Sequence, residues 1–170
     1  YYQGRLTLNP LAHIDWLGFL MLLLVRFGWA KPVQVNPLNF TGVGPKRGMM
    51  LVSLAGPGMN FLLAIGAALA MKFVYSLPQT SNTMVALTLL QPLLLYNVIL
   101  GIFNLIPIPP LDGSKILAGL LPDNGAMVMY SLESYGPIIL LVLVFSGAIG
   151  YVLGPLVNTA IGLLSAFIIA

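Results

Sequence analysis

Long stretches without a single charge constrain this chain more than any other feature. Residues 49–71 supply 23 uncharged positions between Lys46-Arg47 and Lys72. Residues 83–106 supply 24 more, interrupted by polar side chains only at Thr88, Gln91, Asn97 and Asn104. A helix needs about 20 predominantly apolar residues to cross a bilayer, so both stretches are expected to span. From residue 134 to residue 170 there is again no charge, and Gly154-Pro155 is expected to break that stretch into 136–153 and 156–170, as a helical hairpin or two short spans.

Composition agrees. Seven Lys/Arg and four Asp/Glu make up 6% of the 170 residues, against roughly 25% charged residues in a soluble domain. A water-facing surface cannot be built from so few charges, so lipid is the expected solvent for most of the chain. The cations lie singly or in the one pair Lys46-Arg47, which excludes a clustered nucleic-acid-binding face and suits the cytoplasmic flanks of membrane helices. Cysteine is absent, so disulfides, thiolate metal sites and cysteine nucleophiles are excluded.

The first 47 residues behave differently. Only ten uncharged residues separate Asp15 from Arg26, too few for a comfortable span, so residues 14–30 read as a re-entrant or interfacial segment. Residues 30–37 alternate apolar and polar between prolines, the pattern of a short edge strand that a peptide could pair with; a structured loop cap is the equal alternative. Gly42-Val-Gly-Pro-Lys-Arg-Gly48 lacks the spacing of a phosphate-binding loop and reads as an ordinary loop. The expected architecture is an all-α polytopic membrane protein, about four transmembrane helices plus a re-entrant or extended hairpin near residues 14–47. Residues 1–170 form one membrane domain, with an interfacial part at 1–47, core helices at 48–120 and a C-terminal helical hairpin at 121–170.

Chemistry concentrates in Asn104-Leu-Ile-Pro-Ile-Pro-Pro-Leu-Asp-Gly113. An apolar helix runs into Pro107, Pro109 and Pro110, which lack backbone donors and forbid a regular helix. Asp112 therefore sits on a stiff elbow at the membrane boundary, with Asn104 one turn before the break. An ionisable group at that depth is costly and points to function, and a carboxylate is a good zinc ligand. The competing reading makes Asp112 a helix cap at an interfacial turn. Ala64/Ala68, Gly66/Ala70 and Gly150/Gly154 are small-residue pairs suited to close helix packing, and Gly56-Pro57-Gly58 is placed to let another helix approach.

That decapeptide resembles the Asn-x-x-Pro-x-Pro-x-Leu-Asp-Gly element of the site-2 proteases (peptidase family M50), the intramembrane zinc metalloproteases. Gly4-Arg-Leu-Thr-Leu-Asn-Pro-Leu-Ala-His-Ile-Asp15, Phe27-Gly-Trp-Ala-Lys-Pro-Val-Gln-Val-Asn-Pro37 and Leu54-Ala-Gly-Pro-Gly-Met-Asn60 are similar to further stretches of that family, in its order, over roughly residues 4–120. The likeness is greatest to compact prokaryotic members without a PDZ domain. It implies that Asp112 is the third protein ligand of a Zn2+ ion, that Asn104 lines the active cavity, and that a His-Glu-x-x-His helix supplies two histidine ligands and a glutamate base. Substrates would be transmembrane protein segments, cleaved in a prokaryotic inner membrane near its cytoplasmic side.

The chain departs from the family in one respect. His13 is its one histidine, Glu133 its one glutamate, and no His-Glu-x-x-His occurs. By the resemblance that helix would precede Tyr1, so these residues are expected to be the C-terminal part of a longer protease, inactive alone, and His13 a structural loop residue. The alternatives are a degenerate, non-catalytic membrane scaffold of the same family, and a transporter or channel fragment using Asp112 as an ion site.

Overall fold

The computed structural model describes residues 9, 11, 14–25 and 35–169. Two compact units, Tyr1–Asn36 and Pro37–Ala170, are each taken by themselves. In the first, α1 (Trp16–Val25) is ten residues long. That is about 15 Å of helix, half of a ~30 Å hydrocarbon core. Asp15 caps it: its Oδ1 accepts from the backbone N–H of Leu17 at 3.0 Å and of Gly18 at 2.9 Å. The strand expected at residues 30–37 falls mostly outside the described residues, as do His13 and Arg26; among the described residues there is no strand.

The second unit is helical. A 3-10 turn at Pro37–Asn39 leads through Gly42, whose φ of +79° suits a residue without Cβ, into α2 (Pro45–Tyr75). The helix therefore begins inside the segment expected to be a loop: Pro45 at its first turn lacks a donor that would be unsatisfied there anyway. Then come α3 (Ser81–Leu105), α4 (Asp112–Leu120), α5 (Asp123–Glu133), α6 (Gly136–Phe145) and α7 (Ala148–Ile169). A reciprocal pair starts α3: the Thr80 hydroxyl accepts from the Thr83 N–H, and the Thr83 hydroxyl accepts from the Thr80 N–H.

Three helices, α2, α3 and α7, are long and apolar enough to cross a membrane. A fourth span is reached only if α5 and α6, bent by 74° at Ser134-Tyr135, count as one. The expected break at Gly154-Pro155 does not occur, and α7 runs through it. Proline removes one backbone donor, a loss that membrane helices tolerate, as they do here at Pro57 and Pro92 too. The break lies instead at Ser146-Gly147, where Gly147 has φ +76°, a left-handed residue that ends a helix.

The core sits where α2, α3 and α7 meet. Ala64, Ala67, Ala68 and Met71 pack against Leu87, Leu94, Val98 and Ile168. The small-residue pair Ala64/Ala68 is buried there, as close packing requires. Gly66, Gly150 and Gly154 have open space where a Cβ would stand, so they are not close-contact points among the described residues. Large apolar side chains face outward, Leu62 at 63% and Leu89 at 67% exposure, as lipid-facing helices require.

α4 packs on the first half of α2, and Lys46 ties its far end down. The Lys46 ammonium donates to the Leu121 carbonyl at the end of α4 and, at 3.0 Å, to the exposed Asp123 carboxylate. Exposed ion pairs contribute little, whereas a cation on the last carbonyls of a helix complements its dipole. Asp123→Asn should therefore shift stability by under about 0.5 kcal/mol and Lys46→Met by about 1 kcal/mol, read by thermal unfolding in detergent. Equal effects would show that the carbonyl contact is unimportant.

Candidate active site

The elbow after α3 is built by backbone packing. Past Leu105 the chain leaves the helix; the Ile108 N–H donates to Ile106 and the Leu111 N–H to Ile108, at 2.8 and 2.9 Å. Gly113 lies directly against the carbonyl oxygens of Leu105 and Ile106: a Cβ there would meet both at under 3.0 Å. Gly136, at the start of α6, lies on Pro109 and Pro110, where a Cβ would stand 2.9 Å from the Pro110 nitrogen. The elbow is thus held from both sides by glycines. Buried Ser114 donates to the Leu111 carbonyl at 2.7 Å.

This packing delivers Asp112 into the first turn of α4, where a carboxylate is favoured by the helix dipole. It is not a side-chain cap: the N-cap position is Leu111, and no capping hydrogen bond is made. The half-buried carboxyl points at α2 instead. A Cβ on Gly56 would stand 3.2 Å from Asp112 Oδ2, and the Ser53 hydroxyl, buried one turn earlier on α2, donates to the carboxyl. Gly56 and Pro57, the latter fully buried, are the approach point expected from Gly56-Pro57-Gly58. Burial pushes the Asp112 carboxyl above its ordinary value, opposed by the positive charge of Lys115 and by the Ser53 hydrogen bond. Lys115 also pairs with Glu133 at 3.5 Å, which accounts for the chain's one glutamate.

Asn104 is half-buried in the last turn of α3, on the face shared by buried Gly101 and Asn97, and its amide makes no hydrogen bond among the described residues. Asn97 donates to the Leu93 carbonyl of its own helix at 2.8 Å, so it belongs to the packing. Gly101 admits the Phe61 ring, 3.0 Å from the place of a Cβ.

Sequence reading missed Ser53. A hydroxyl in a spanning helix commonly bonds its own helix's carbonyl, so nothing in Leu51-Val-Ser-Leu-Ala55 signals a partner 59 residues away. As for a metal, the Asp112 oxygen has the donor chemistry that zinc accepts. Among the described residues, however, no group of three His, Cys, Asp or Glu could hold one.

A polytopic helical membrane protein that carries a half-buried carboxyl on a proline-glycine elbow has the frame of an intramembrane metallopeptidase. The model of Peptidase family M50 matches residues 43–147, which span the elbow and both helices around it, and the chain belongs to that family, the site-2 proteases. It is 40% identical over 159 residues, 92% of this chain and 72% of the relative, to "Putative zinc metalloprotease YwhC" of Bacillus subtilis (strain 168). It is 35% identical over 77 residues, 45% of this chain and 21% of the relative, to "Zinc metalloprotease MJ0392" of Methanocaldococcus jannaschii. No solved structure matches it. Zinc is the metal this family implies, and an integral membrane location follows from the family and the three apolar helices together.

Proposed function

We propose that this chain forms the carboxylate side of a zinc-dependent endopeptidase that cleaves transmembrane segments. Asp112 serves as the third protein ligand, and two histidines and a glutamate base come from residues outside 1–170. The observation that carries the reading is the Asp112 carboxyl itself, half-buried against Ser53 and Gly56 where burial disfavours its charge. Such a group gains most from a cation. Zinc, when bound, polarises a carbonyl and lowers the pKa of its water toward 7.

The chain's own residues hold and shape this side of the site. Ser53 helps to orient the carboxyl, Gly56 leaves room beside its Oδ2, and the Gly113 contact fixes the elbow. Asn104 offers an amide to an unwound substrate strand. The end of the bundle that carries Lys46, Arg47 and Lys115 faces the cytoplasm of a prokaryotic cell, by the excess of cations there. Family membership favours this reading over an ion-conducting one.

Zinc analysis of the full-length protein tests the proposal. One zinc per chain is expected, with cleavage of a model transmembrane substrate lost on chelation and restored by zinc. A full-length protein that cleaves equally well in chelator refutes the zinc centre; one that neither binds zinc nor cleaves is a scaffold.

A further inference from the structure

A cavity of about 580 Å3 opens between the three spanning helices, lined by Met71 and Tyr75 of α2, Gln91 and Leu94 of α3, and Ser165 and Ile168 of α7 among others. Its size lies within the range of ligand sites. It is remote from Asp112: Met71 follows Gly56 by 15 residues, about 22 Å along the helix.

Three observations define an occupant. The walls are largely apolar and belong to spanning helices, so the surrounding solvent is hydrocarbon. Lys72 follows the lining residue Met71, and its ammonium donates at 3.0 Å to the carbonyl of Phe167, the residue before the lining residue Ile168, and stands 4.6 Å above the Phe167 ring. It has no acidic partner among the described residues, and an ammonium carries three donors, so two remain for an anion. Finally, α7 is thinly packed: 6% of its apolar window is buried, against 28% for α2 and for α3. Its inward side chains Ile161, Ser165 and Ile168 line the cavity, so the space lies where α7 meets α2 and α3.

We infer that this cavity binds an anionic phospholipid, its phosphate on Lys72 beside the Tyr75 hydroxyl and one acyl chain between α3 and α7. Gln91 and Ser165 offer donors to the ester oxygens. A free anion would leave the apolar walls unfilled. The lipid bridges α7 to the α2–α3 pair, completing packing that the protein leaves open, and it does so whether or not a zinc centre exists.

Native mass spectrometry of the full-length protein in detergent tests this, with dioleoylphosphatidylglycerol, dioleoylphosphatidylcholine and glycerol phosphate as probes. Phosphatidylglycerol should be retained in preference to phosphatidylcholine, and glycerol phosphate should not displace it. Lys72→Gln should weaken its retention roughly fivefold, the effect of one cation near a membrane surface, and Lys72→Arg should preserve it. Ser165→Phe, which narrows the cavity and leaves Lys72 in place, should abolish retention of both lipids. Should Lys72→Gln unfold for want of its Phe167 tie, the Arg and Ser165 variants still decide. Equal retention of the two lipids overturns the inference, as does displacement by glycerol phosphate, or retention unaffected by Ser165→Phe.

Discussion

Asp112→Asn is expected to abolish cleavage while leaving the zinc-free protein at least as resistant to unfolding as the wild type. The amide keeps the volume of the carboxyl and can still accept from Ser53, so the α2–α4 contact survives. What disappears is a charge whose burial is unfavourable. The carboxyl's native pKa is raised from 3.8, so the native state holds its proton to higher pH than the unfolded chain does. By linkage, stability of the zinc-free wild type then falls as pH rises above the ordinary carboxylate range. Asp112→Asn should lack that fall. Function moves the other way, because a neutral amide is a poor zinc ligand. Removing an outer-shell partner of a metal site typically costs 10–100-fold, and losing a direct ligand should cost at least about 100-fold in zinc retention and cleavage. Thermal unfolding in chelator across pH, zinc content and cleavage of a model substrate check the three parts separately. A variant that cleaves at the wild-type rate sinks the ligand assignment; one that unfolds early sinks the argument from burial.

How much of this was legible in the sequence varies with the physics involved. The α2 and α3 helices were, because lipid forbids charge and residues 49–71 and 83–106 obey. The elbow was also legible, since Pro107, Pro109 and Pro110 remove three donors within four positions, more than the single loss a membrane helix absorbs. The break near the C-terminus was misplaced at Gly154-Pro155. Proline is the louder signal in a sequence, yet a membrane helix absorbs one lost donor, whereas Gly147 turns the chain by adopting a left-handed conformation that glycine permits but does not require. The partners of Asp112 were hidden for another reason. Ser53 and Gly56 reach it through the packing of α4 on α2, and spacing along a chain does not encode which helix faces which. Likewise the cavity beside Lys72 exists only because α7 closes over Met71 and Leu94, two residues that read as ordinary apolar positions.

Gly113→Ala should be as damaging as removing the carboxyl, by a wholly different route. The new methyl would stand at under 3.0 Å from the Leu105 and Ile106 carbonyl oxygens. These are backbone atoms ending a spanning helix, which cannot rotate away as a side chain could. Overpacking of this kind costs typically 1–3 kcal/mol, and relief requires α4 to lift off the end of α3. Asp112, one residue earlier, moves with it and leaves Ser53 and Gly56. A displacement of 1 Å at a reacting centre can cost about 100-fold in rate, so cleavage should fall by about that factor even at temperatures where the protein stays folded. Gly136→Ala presses on the same elbow from α6 and should be milder, since its nearest atom is 2.9 Å away and α6 can shift. Gly58→Ala, with nothing within 4 Å, should leave cleavage unchanged and gain up to about 1 kcal/mol of helix propensity. The expected order of damage, Gly113 before Gly136 before Gly58, is read from cleavage rates and melting temperatures of the three full-length variants. A Gly113→Ala protein as active as Gly58→Ala would mean that the elbow does not set the position of the carboxyl.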